Sequence, residues 1–392
     1  MYQIKTINKI SPIGLNHMAP EFYNVRDDIE NEDGILVRSA KMHDYEFPAN
    51  LRAIARAGAG TNNIPIDRCT ENGIVVFNTP GANANAVKEL VLAAMLLSSR
   101  DILGGAKWVQ EQVGQPDIDL PAAVEKGKSA FVGPELYRKT LGVIGLGAIG
   151  ALVANDALKL GMDVYGYDPY LSVEAALRLD RHVHVVKDVT ELFKVCDYIT
   201  LHIPYLPSTK DFINAEAISK MKGEVRILNL ARGELVCDED MIAALESGRV
   251  AKYVTDFPNE RIATAKNVVA LPHLGASTPE SEDNCAVMAV RELEDYLVNG
   301  NIRNSVNLPN LVQEWSGEAR LCIIHENVPA MLTSIMTTLS DDGINIENMT
   351  NKSKKEVAYT VLDVNSRIPD EVAEELRAIP GVIRVRVLTH RD

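Results

Sequence analysis

Residues 140–168 read TLGVIGLGAIGALVANDALKLGMDVYGYD, and this stretch predicts the fold of the central part of the chain. The apolar run 141–144 is typical of a buried strand. Three glycines follow it in a G-x-G-x-x-G turn: Gly145, Gly147 and Gly150. Apolar residues then share one face at helical spacing: Ile149, Leu152, Val153, Ala157 and Leu160. Gly161 ends the predicted helix, and residues 164–167 predict a second strand before Asp168.

This order of strand, turn, helix and strand predicts a Rossmann unit that binds a dinucleotide. Gly145 permits the tight turn, Gly147 lets the backbone approach a pyrophosphate, and Gly150 lets helix and strand pack closely. The helix N-terminus faces the phosphates. Asp168 lies 18 residues after Gly150, near the spacing expected of the acid that binds the ribose hydroxyls. The alternative is a glycine-rich turn between core elements, but the agreement of all the parts favours a cofactor site.

Asp168 also indicates which cofactor is bound. Its carboxylate can accept hydrogen bonds from a ribose diol and would repel a 2′-phosphate. Pro169 and Tyr170 follow it, so no adjacent arginine would neutralise such a phosphate. The sequence therefore favours NAD over NADP.

The composition of the 392-residue chain excludes several classes of protein. It contains 46% hydrophobic and 24% charged residues, as soluble proteins do, and its length predicts two or three domains. The net charge of −14 argues against a nucleic-acid partner. The sequence has no run of about 18 apolar residues and no N-terminal signal pattern. Five scattered cysteines show no metal-ligand spacing, so we expect a cytoplasmic protein with no metal and no membrane partner.

Strands and helices alternate on both sides of the central stretch, which predicts an α/β protein with a Rossmann domain inserted in a flavodoxin-like substrate domain. A long helix that begins at Thr278-Pro279 returns the chain to the first domain. Residues 308–319 have the composition of a linker. The segment that follows has the β-α-β-β-α-β order of a ferredoxin-like fold. The predicted domains are residues 1–86 (substrate domain, first part), 87–267 (Rossmann), 268–307 (substrate domain, second part) and 320–392 (ferredoxin-like).

Polar residues follow several predicted strands, where ligands bind in open α/β sheets. Arg38 and Ser39 end one apolar run, and Asn78 and Thr79 follow another. Arg38 could bind an anionic substrate or could be a solvated loop residue. The sequence alone leaves both interpretations open.

Three further polar residues follow strands after the Rossmann unit: Arg232, Glu260 and His273. An enzyme that transfers hydride must hold a substrate carboxylate and move one proton. Arginine binds a carboxylate through two hydrogen bonds, and histidine titrates near neutral pH and can act as a general base. A neighbouring carboxylate fixes the tautomer of the histidine and favours the imidazolium. The three residue types fit this chemistry, although their spacing does not show that they meet.

The chain resembles the D-2-hydroxyacid dehydrogenase family. The ARG of residues 231–233 and the PHLGAST of residues 272–278 form a specific pair. The matching stretches cover both α/β domains in the family's order: VRSA (37–40), RAGAGTNNI (56–64), NTPGANANAVKEL (78–90), GLGAIG (145–150), GYDPY (166–170), LHIPYLPST (201–209), NLARGELV (229–236), DFPNE (256–260) and PHLGAST (272–278). The C-terminal segment, with HENVP at 325–329, resembles an ACT domain, a small amino-acid-sensing module.

The resemblance implies NAD-dependent oxidation of D-3-phosphoglycerate to 3-phosphohydroxypyruvate, the first step of L-serine synthesis. It implies that His273 is the acid/base, that Glu260 pairs with it, and that Arg232 holds the substrate carboxylate. The D-V-F pattern usual before the glutamate is shortened here to Asp256-Phe257, and the loop to His273 is also short.

The resemblance also implies a set of binding residues. The residues implied for NAD are Gly145, Gly147, Ala148, Ile149, Gly150, Asp168, Leu230, Ala231, Arg232, Asp256, His273, Leu274, Gly275 and Ala276, with Asp256 on the nicotinamide carboxamide. The residues implied for the phosphorylated substrate are Arg38, Ser39, Asn83 and Arg232. The residues implied for L-serine as an inhibitor are His325, Asn327 and Asn345, at a contact between two ACT domains of a homodimer or homotetramer.

Two other functions stay open at this stage. One is a different D-2-hydroxyacid dehydrogenase, for instance one that reduces 2-oxoglutarate to 2-hydroxyglutarate. The other is a non-catalytic regulator that binds an amino acid and keeps the fold. The complete set of Arg232, Glu260 and His273 argues against the regulator.

Overall fold

The structure, a computed structural model, describes residues 1–116 and 118–389. Within these ranges the strands are β1 (Tyr2–Ile7), β2 (Tyr23–Arg26), β3 (Gly34–Val37), β4 (Ala53–Arg56), β5 (Val75–Phe77), β6 (Thr140–Ile144), β7 (Asp163–Tyr167), β8 (His184–Val186), β9 (Tyr198–Leu201), β10 (Val225–Asn229), β11 (Val250–Thr255), β12 (Val268–Ala270), β13 (Ala319–Glu326), β14 (Ile346–Lys354), β15 (Val357–Val364) and β16 (Val382–Thr389). The α-helices are α1 (Pro12–Leu15), α2 (Ile66–Glu71), α3 (Ala84–Ser99), α4 (Ile102–Gln112), α5 (Leu120–Gly127), α6 (Ala148–Lys159), α7 (Val173–Ala176), α8 (Val189–Val195), α9 (Ala215–Lys220), α10 (Asp238–Glu246), α11 (Glu260–Thr264), α12 (Pro279–Asn299), α13 (Met331–Asp341) and α14 (Asp370–Ala378).

The chain divides into two compact units. The first unit contains Met1–Asn83 and the chain from Pro279 onwards, and the second contains Ala84–Thr278. The second division lies after Thr278 and not at residue 267, because β12 pairs with β11 in the sheet of the second unit. Residues 390–392, which end the predicted ferredoxin-like domain, lie outside the described residues.

The first unit contains a five-stranded parallel sheet in the order β2-β1-β3-β4-β5. This is the flavodoxin-like order 2-1-3-4-5, as the sequence predicts. All four residues of β3 are buried, which is typical of a strand covered on both faces. α12 begins at Pro279, as predicted from the Thr278-Pro279 signal, and its apolar face joins the core beside this sheet.

The second unit contains a seven-stranded parallel sheet in the order β8-β7-β6-β9-β10-β11-β12. Its first six strands have the Rossmann order 3-2-1-4-5-6. The predicted strand, turn, helix and strand of residues 140–168 are confirmed as β6, α6 and β7. α3 packs against α6 in this unit.

The C-terminal region of the first unit contains a four-stranded antiparallel sheet in the order β14-β15-β13-β16, with helices α13 and α14. The predicted β-α-β-β-α-β order is therefore confirmed. One face of the sheet packs against the helices through residues such as Leu321, Ile323 and Leu362 on the strands and Ile335 on α13.

The other face of this sheet shares a core with the end of α12. Tyr359 and Val361 of β15 lie in one hydrophobic cluster with Tyr296 and Leu297 of α12. The guanidinium of Arg386 donates to the carbonyl oxygens of Tyr296 (3.1 Å) and Leu297 (2.8 Å). The last carbonyls of a helix lack partners within the helix, so the C-terminal sheet supplies hydrogen-bond donors to the end of α12.

The segment predicted as a linker, residues 308–319, is part of this core at its first residues. Leu308 and Leu311 are 1% and 0% exposed and belong to the same cluster. Leu311 also forms an isolated bridge with Ile302. The linker-like composition of the segment did not predict this burial. Two apolar residues, Leu308 and Leu311, are enough to anchor a short segment in the core.

A buried ion pair lies where this segment meets the sheet. Nε and Nη2 of Arg320 donate to Oδ1 and Oδ2 of Asp363, at 2.6 and 2.8 Å, and neither side chain is exposed. Nη1 of Arg320 donates to the carbonyl oxygens of Asn299 and Gln313. Asp363 also accepts from the amide of Gln313 and the backbone N–H of Ser316. These bonds join α12, the 308–319 segment and the C-terminal sheet.

The described residues contain neither a candidate membrane-spanning helix nor a candidate metal cluster. No helix in the ranges 1–116 and 118–389 is long and apolar enough to cross a membrane. Over the same ranges, no group of three or more His, Cys, Asp or Glu side chains could hold a metal ion.

Candidate active site

The glycines of the turn in the second unit are required by its geometry. Gly145 has φ of +93°, in the left-handed region, and a Cβ there would lie 2.6 Å from the carbonyl oxygen of His202. A Cβ on Gly150 would lie 1.8 Å from the carbonyl oxygen of Gly145. A side chain at either position would therefore force the turn away from the start of α6.

Gly147 has a different role, because nothing lies within 4 Å of the position its Cβ would occupy. Gly147 is the N-cap of α6 and provides no side-chain cap to the helix. The backbone N–H groups at the start of a helix favour an anion, and here these groups belong to residues such as Ala148 and Ile149. Open space beside an uncapped helix N-terminus fits the pyrophosphate of a dinucleotide.

Asp168 follows β7, where the sequence places the ribose-binding acid. Its Oδ2 accepts from the backbone N–H of Leu146 and its Oδ1 from that of Tyr170, both at 2.9 Å. Each carboxylate oxygen can accept a further hydrogen bond. The two backbone bonds hold the half-buried carboxylate in one orientation while it keeps the capacity to accept from a diol.

We expect Asp168→Ala to weaken NAD binding about 10- to 100-fold, which corresponds to a charge-assisted hydrogen bond of roughly 1.5–3 kcal/mol. NADP should lose much less, since its 2′-phosphate is repelled by the carboxylate. Dissociation constants for both cofactors measure the change, and Asp163→Ala, which removes an exposed acid at the start of β7, is the control. An equal loss for NAD and NADP would show that Asp168 only holds the turn.

Asp256 is a buried acid directly after β11. It is 1% exposed, its Oδ2 accepts from the backbone N–H of Gly275 at 3.1 Å, and its Oδ1 has no hydrogen-bond partner. Burial raises the pKa of Asp256, against the opposing effects of the Gly275 N–H, His273 and Arg232. Because a buried unpaired acceptor is costly, this oxygen fits a donor from a ligand, such as the carboxamide of a nicotinamide.

Phe257 brings the two basic residues of the site together. The ring of His273 lies 4.5 Å from the ring of Phe257, and the guanidinium of Arg232 lies 5.7 Å from the same ring. The backbone N–H of His273 donates to the carbonyl oxygen of Asp256 at 3.1 Å. Arg232 is exposed, and its Nη1 donates to the carbonyl oxygen of Ala231 at 2.6 Å.

His273 has φ of +48°, a left-handed conformation that is costly for a residue with a side chain. Such strain gathers at functional sites. The side chain of His273 is exposed, so its ring is accessible to a substrate. His273 and Arg232 therefore both lie beside the ring of Phe257, and the backbone of Asp256, the residue before Phe257, is hydrogen-bonded to that of His273. The sequence placed His273 and Arg232 after strands without showing that they meet.

Glu260 is not brought to His273 by the structure. It is the first residue of α11, which Asn259 caps by accepting from the backbone N–H of Ile262. Within the part of the chain that the structure describes, no hydrogen bond or ion pair joins Glu260 to His273. The role of Glu260 as partner of His273 stays a prediction.

Two of the predicted substrate-binding residues of the first unit, Arg38 and Ser39, follow β3, whereas Asn83 precedes a helix. Arg38 follows β3, and its Nη2 forms a 2.6 Å ion pair with Oε1 of Glu282. The exposed Ser39 donates its backbone N–H to Oδ1 of Asn8, and the half-buried Asn83 directly precedes α3. Arg56, the last residue of β4, lies beside Arg38, since its Nε donates to the carbonyl oxygen of Arg38 at 2.9 Å. Its position at a strand end could have indicated Arg56 as a further candidate from the sequence.

The three predicted regulatory residues differ in exposure. His325 is 2% exposed, and its ring nitrogens contact the carbonyl oxygen of Glu326 and Oγ1 of Thr360, both at 2.8 Å. Asn327 and Asn345 are exposed. Asn327 donates to the carbonyl oxygen of Lys355 and is not the cap of α13, whose N-cap is Ala330. The ring of His325 is therefore engaged within the chain, whereas the two asparagines are accessible.

Comparison with known proteins identifies the family. Residues 92–275, which lie in the second unit, match the family model described as D-isomer specific 2-hydroxyacid dehydrogenase, NAD binding domain. A D-3-phosphoglycerate dehydrogenase of Haemophilus influenzae is 33% identical over 355 residues, which cover 88% of this chain and 82% of that protein. The chain belongs to the D-isomer specific 2-hydroxyacid dehydrogenase family.

Two further relatives carry the same kind of description. A D-3-phosphoglycerate dehydrogenase of Synechocystis sp. is 37% identical over 297 residues, which are 74% of this chain but only 51% of that protein. The chain thus spans about half the length of this relative. The crystal structure of an NAD⁺-bound 3-phosphoglycerate dehydrogenase of Entamoeba histolytica matches 79% of this chain and 99% of its own, with 27% identity and a TM-score of 0.59.

Proposed function

We propose that this chain catalyses the NAD-dependent oxidation of D-3-phosphoglycerate to 3-phosphohydroxypyruvate, the first step of L-serine synthesis. The observation that carries the proposal is the contact of His273 and Arg232 with the ring of Phe257, together with the buried, unpaired Oδ1 of Asp256, the residue before Phe257. The relatives described as D-3-phosphoglycerate dehydrogenases support this choice among 2-hydroxy acids.

The residues divide the chemistry between them. His273 accepts the proton of the C2 hydroxyl as general base. Arg232 binds the substrate carboxylate and stabilises the negative charge that develops on the oxygen at C2. Asp256 orients the nicotinamide by accepting from its carboxamide. When bound, NAD supplies the acceptor for the hydride that leaves C2.

A turnover assay tests the proposal and separates it from the two alternatives. Reduction of NAD in the presence of D-3-phosphoglycerate, measured as absorbance of NADH, is the expected result. Oxidation of NADH with 2-oxoglutarate, without turnover of D-3-phosphoglycerate, would identify the other dehydrogenase. Absence of turnover with both substrates would favour the non-catalytic regulator and refute the proposal.

We propose that Arg38 binds the substrate phosphate, which would replace Glu282 on its guanidinium. Arg38→Ala should raise KM for D-3-phosphoglycerate about 10- to 100-fold, since a charged hydrogen bond contributes roughly 1.5–3 kcal/mol. An unphosphorylated 2-hydroxy acid should be affected little. Steady-state kinetics with both substrates measures the difference, and Arg26→Ala, at the end of the neighbouring strand β2, is the control. Equal losses for both substrates would make Arg38 a structural residue.

We further propose that the C-terminal region is an ACT domain that binds L-serine as a feedback inhibitor, in a homodimer or homotetramer. Its β-α-β-β-α-β order supports this. The amides of Asn327 and Asn345 can donate to a carboxylate and accept from an ammonium group. The engaged ring of His325 would act indirectly, by tying the end of β13 next to Asn327 to Thr360 of β15. Asn345 lies at the opposite end of the sheet, where β14 begins, so it would reach the same L-serine from the second ACT domain of the contact.

Asn345→Ala is expected to abolish inhibition by L-serine without changing turnover in its absence. The coupling between the two sites would be roughly 1–3 kcal/mol, a typical allosteric value. Inhibition curves and calorimetry at millimolar L-serine measure the effect. Asn348→Ala, an exposed position on β14, is the matched control. If the wild-type chain binds no L-serine, or binds it without a change in kcat or KM, the regulatory proposal is wrong.

A further inference from the structure

A cavity of about 700 Å³ lies on α12, and its lining includes none of the residues assigned above to catalysis, substrate binding or serine binding. Three parts of the first unit form its wall: α12, the turn at Gly81 and Ala82, and the segment of Arg303 and Asn304. A volume of this size is in the range of small-molecule sites.

One buried acid in the wall of the cavity has a carboxyl oxygen without a hydrogen-bond partner. Glu292 is 6% exposed, and its Oε1 accepts from Nδ2 of Asn304 at 2.7 Å. Its Oε2 is buried without a hydrogen-bond partner. Burial raises the pKa of Glu292 to about 8, and the hydrogen bond from Asn304 opposes the shift. Because an unpaired buried carboxyl oxygen is unfavourable, the position fits a donor supplied by a ligand.

The other charged residues of the wall define what that ligand carries. Asp295 already accepts from Nδ2 of Asn299 and of Asn301, and it pairs with Arg303 at 3.5 Å. Arg291, one residue before Glu292 on α12, is exposed and adds a second positive charge to the wall. The turn at residues 81–82 contributes no charge. The cavity thus offers one unpaired acceptor and one guanidinium that is not in a described ion pair.

The uncharged part of the wall is apolar, through Ala82, Val287 and Met288. Met288 and Glu292 are one turn apart on α12, so they line the cavity along one face of the helix. An aliphatic chain could cover this surface while polar groups reach the acid and the arginine.

We propose that this cavity binds an α-amino acid with an aliphatic side chain. The ammonium group donates to Oε2 of Glu292, the carboxylate binds Arg291, and the side chain packs on the apolar wall. A bare cation would leave the guanidinium of Arg291 without a counter-charge, and a bare anion would leave Oε2 of Glu292 without a donor. A zwitterion satisfies both.

Calorimetry on the full chain with L-norvaline, butylamine and pentanoate as probes tests the proposal. L-Norvaline carries both charged groups, and each of the other two carries one. We expect L-norvaline to bind at least tenfold more tightly than either. Butylamine or pentanoate binding as tightly as L-norvaline would refute recognition of a zwitterion, as would absence of L-norvaline binding.

Two variants assign the contacts. Glu292→Gln should weaken L-norvaline at least tenfold, and Arg291→Met, on the exposed side of the wall, should reduce its affinity to that of butylamine. Glu294→Gln is the control, because Glu294 lies on another face of α12 and is not part of the wall. Unchanged affinity in both test variants would refute the site, whether or not L-serine binds the C-terminal region.

Proton release provides a second measurement. At pH 7 a carboxyl group with a pKa of about 8 is mainly protonated, so binding of an ammonium group to its ionised form releases a proton. The heat of L-norvaline binding should therefore depend on the ionisation enthalpy of the buffer in the wild type and not in Glu292→Gln. The same heat in every buffer for the wild-type chain would contradict the contact with Glu292.

Discussion

Replacement of His273 with alanine is expected to lower kcat for D-3-phosphoglycerate about 10²- to 10⁴-fold, the usual contribution of positioned proton transfer. The ring packs on Phe257, and the backbone of His273 is held by Asp256. Loss of the imidazole would remove the proposed base without removing the buried contacts of the site. Steady-state kinetics and the dissociation constant of NAD separate the chemical step from cofactor binding.

The control for this variant is His182→Ala in the same unit, where an exposed histidine pairs with Asp180. It should leave kcat unchanged. A His273→Ala enzyme that keeps more than a tenth of the wild-type kcat would contradict the assignment of His273 as the general base. A parallel fall in kcat for His182→Ala would show that the loss is not specific to the site.

Replacement of Asp363 with asparagine is expected to destabilise the C-terminal region by roughly 3–5 kcal/mol, the cost of leaving a buried charge without its partner. Arg320 is fully buried and would keep its positive charge beside a neutral amide. The guanidinium of Arg320 lies 4.6 Å from the ring centre of Trp315. The fluorescence of Trp315 therefore reports on this region. Urea unfolding followed by Trp315 fluorescence, in a Trp108→Phe background, measures the loss.

The matched control is Glu318→Gln, which removes an exposed pair with Arg367 and should change stability by less than about 1 kcal/mol. A similar small change in Asp363→Asn would show that the buried pair contributes little.

The pH dependence of stability gives an independent check on Asp363. Burial acts to raise the pKa of its carboxyl group, but hydrogen bonds from Arg320, Gln313 and Ser316 outweigh this and leave it below the ordinary value. A group whose pKa is lowered in the folded state contributes stability above its unfolded pKa, about 4 for aspartate. This contribution is lost as the pH falls through the lower folded-state pKa. The wild type should lose it below about pH 4, and Asp363→Asn should lack it at every pH.

Much of the fold was predictable from local sequence patterns, because such patterns reflect requirements within a single turn, strand or helix. Gly145 and Gly150 are fixed by close backbone contacts within one turn, and the apolar spacing of α6 follows from one buried face. The C-terminal strands and helices were also predictable, since each short segment carries its own apolar pattern that indicates a strand or a helix. Among the site residues, His273 and Arg232 follow strands whose ends lie at one edge of the sheet.

Contacts between distant segments were not predictable in the same way. Arg38 and Glu282 form a pair although they are 244 positions apart in the chain. The residues around Arg38 do not indicate Glu282 as its partner, and those around Glu282 do not indicate Arg38. The burial of Asp256 and its unpaired oxygen depends on the position of Gly275, and the spacing of Glu260 gave no measure of its distance from His273. These features depend on how separate elements pack.

The end of α12 links two parts of the chain more closely than their order suggests. Its final carbonyls receive hydrogen bonds from Arg386 and Arg320, and that of Gly300, just beyond, receives one from Tyr359. A chain truncated before the C-terminal sheet would lose these protein partners of the carbonyls and would expose Tyr296 and Leu297 to water. We therefore expect that replacing the C-terminal region with another domain would destabilise the end of α12. A substitution at the end of α12 changes the surface against which β13, β15 and β16 pack. We therefore expect positions on these four elements to covary among relatives that share this arrangement.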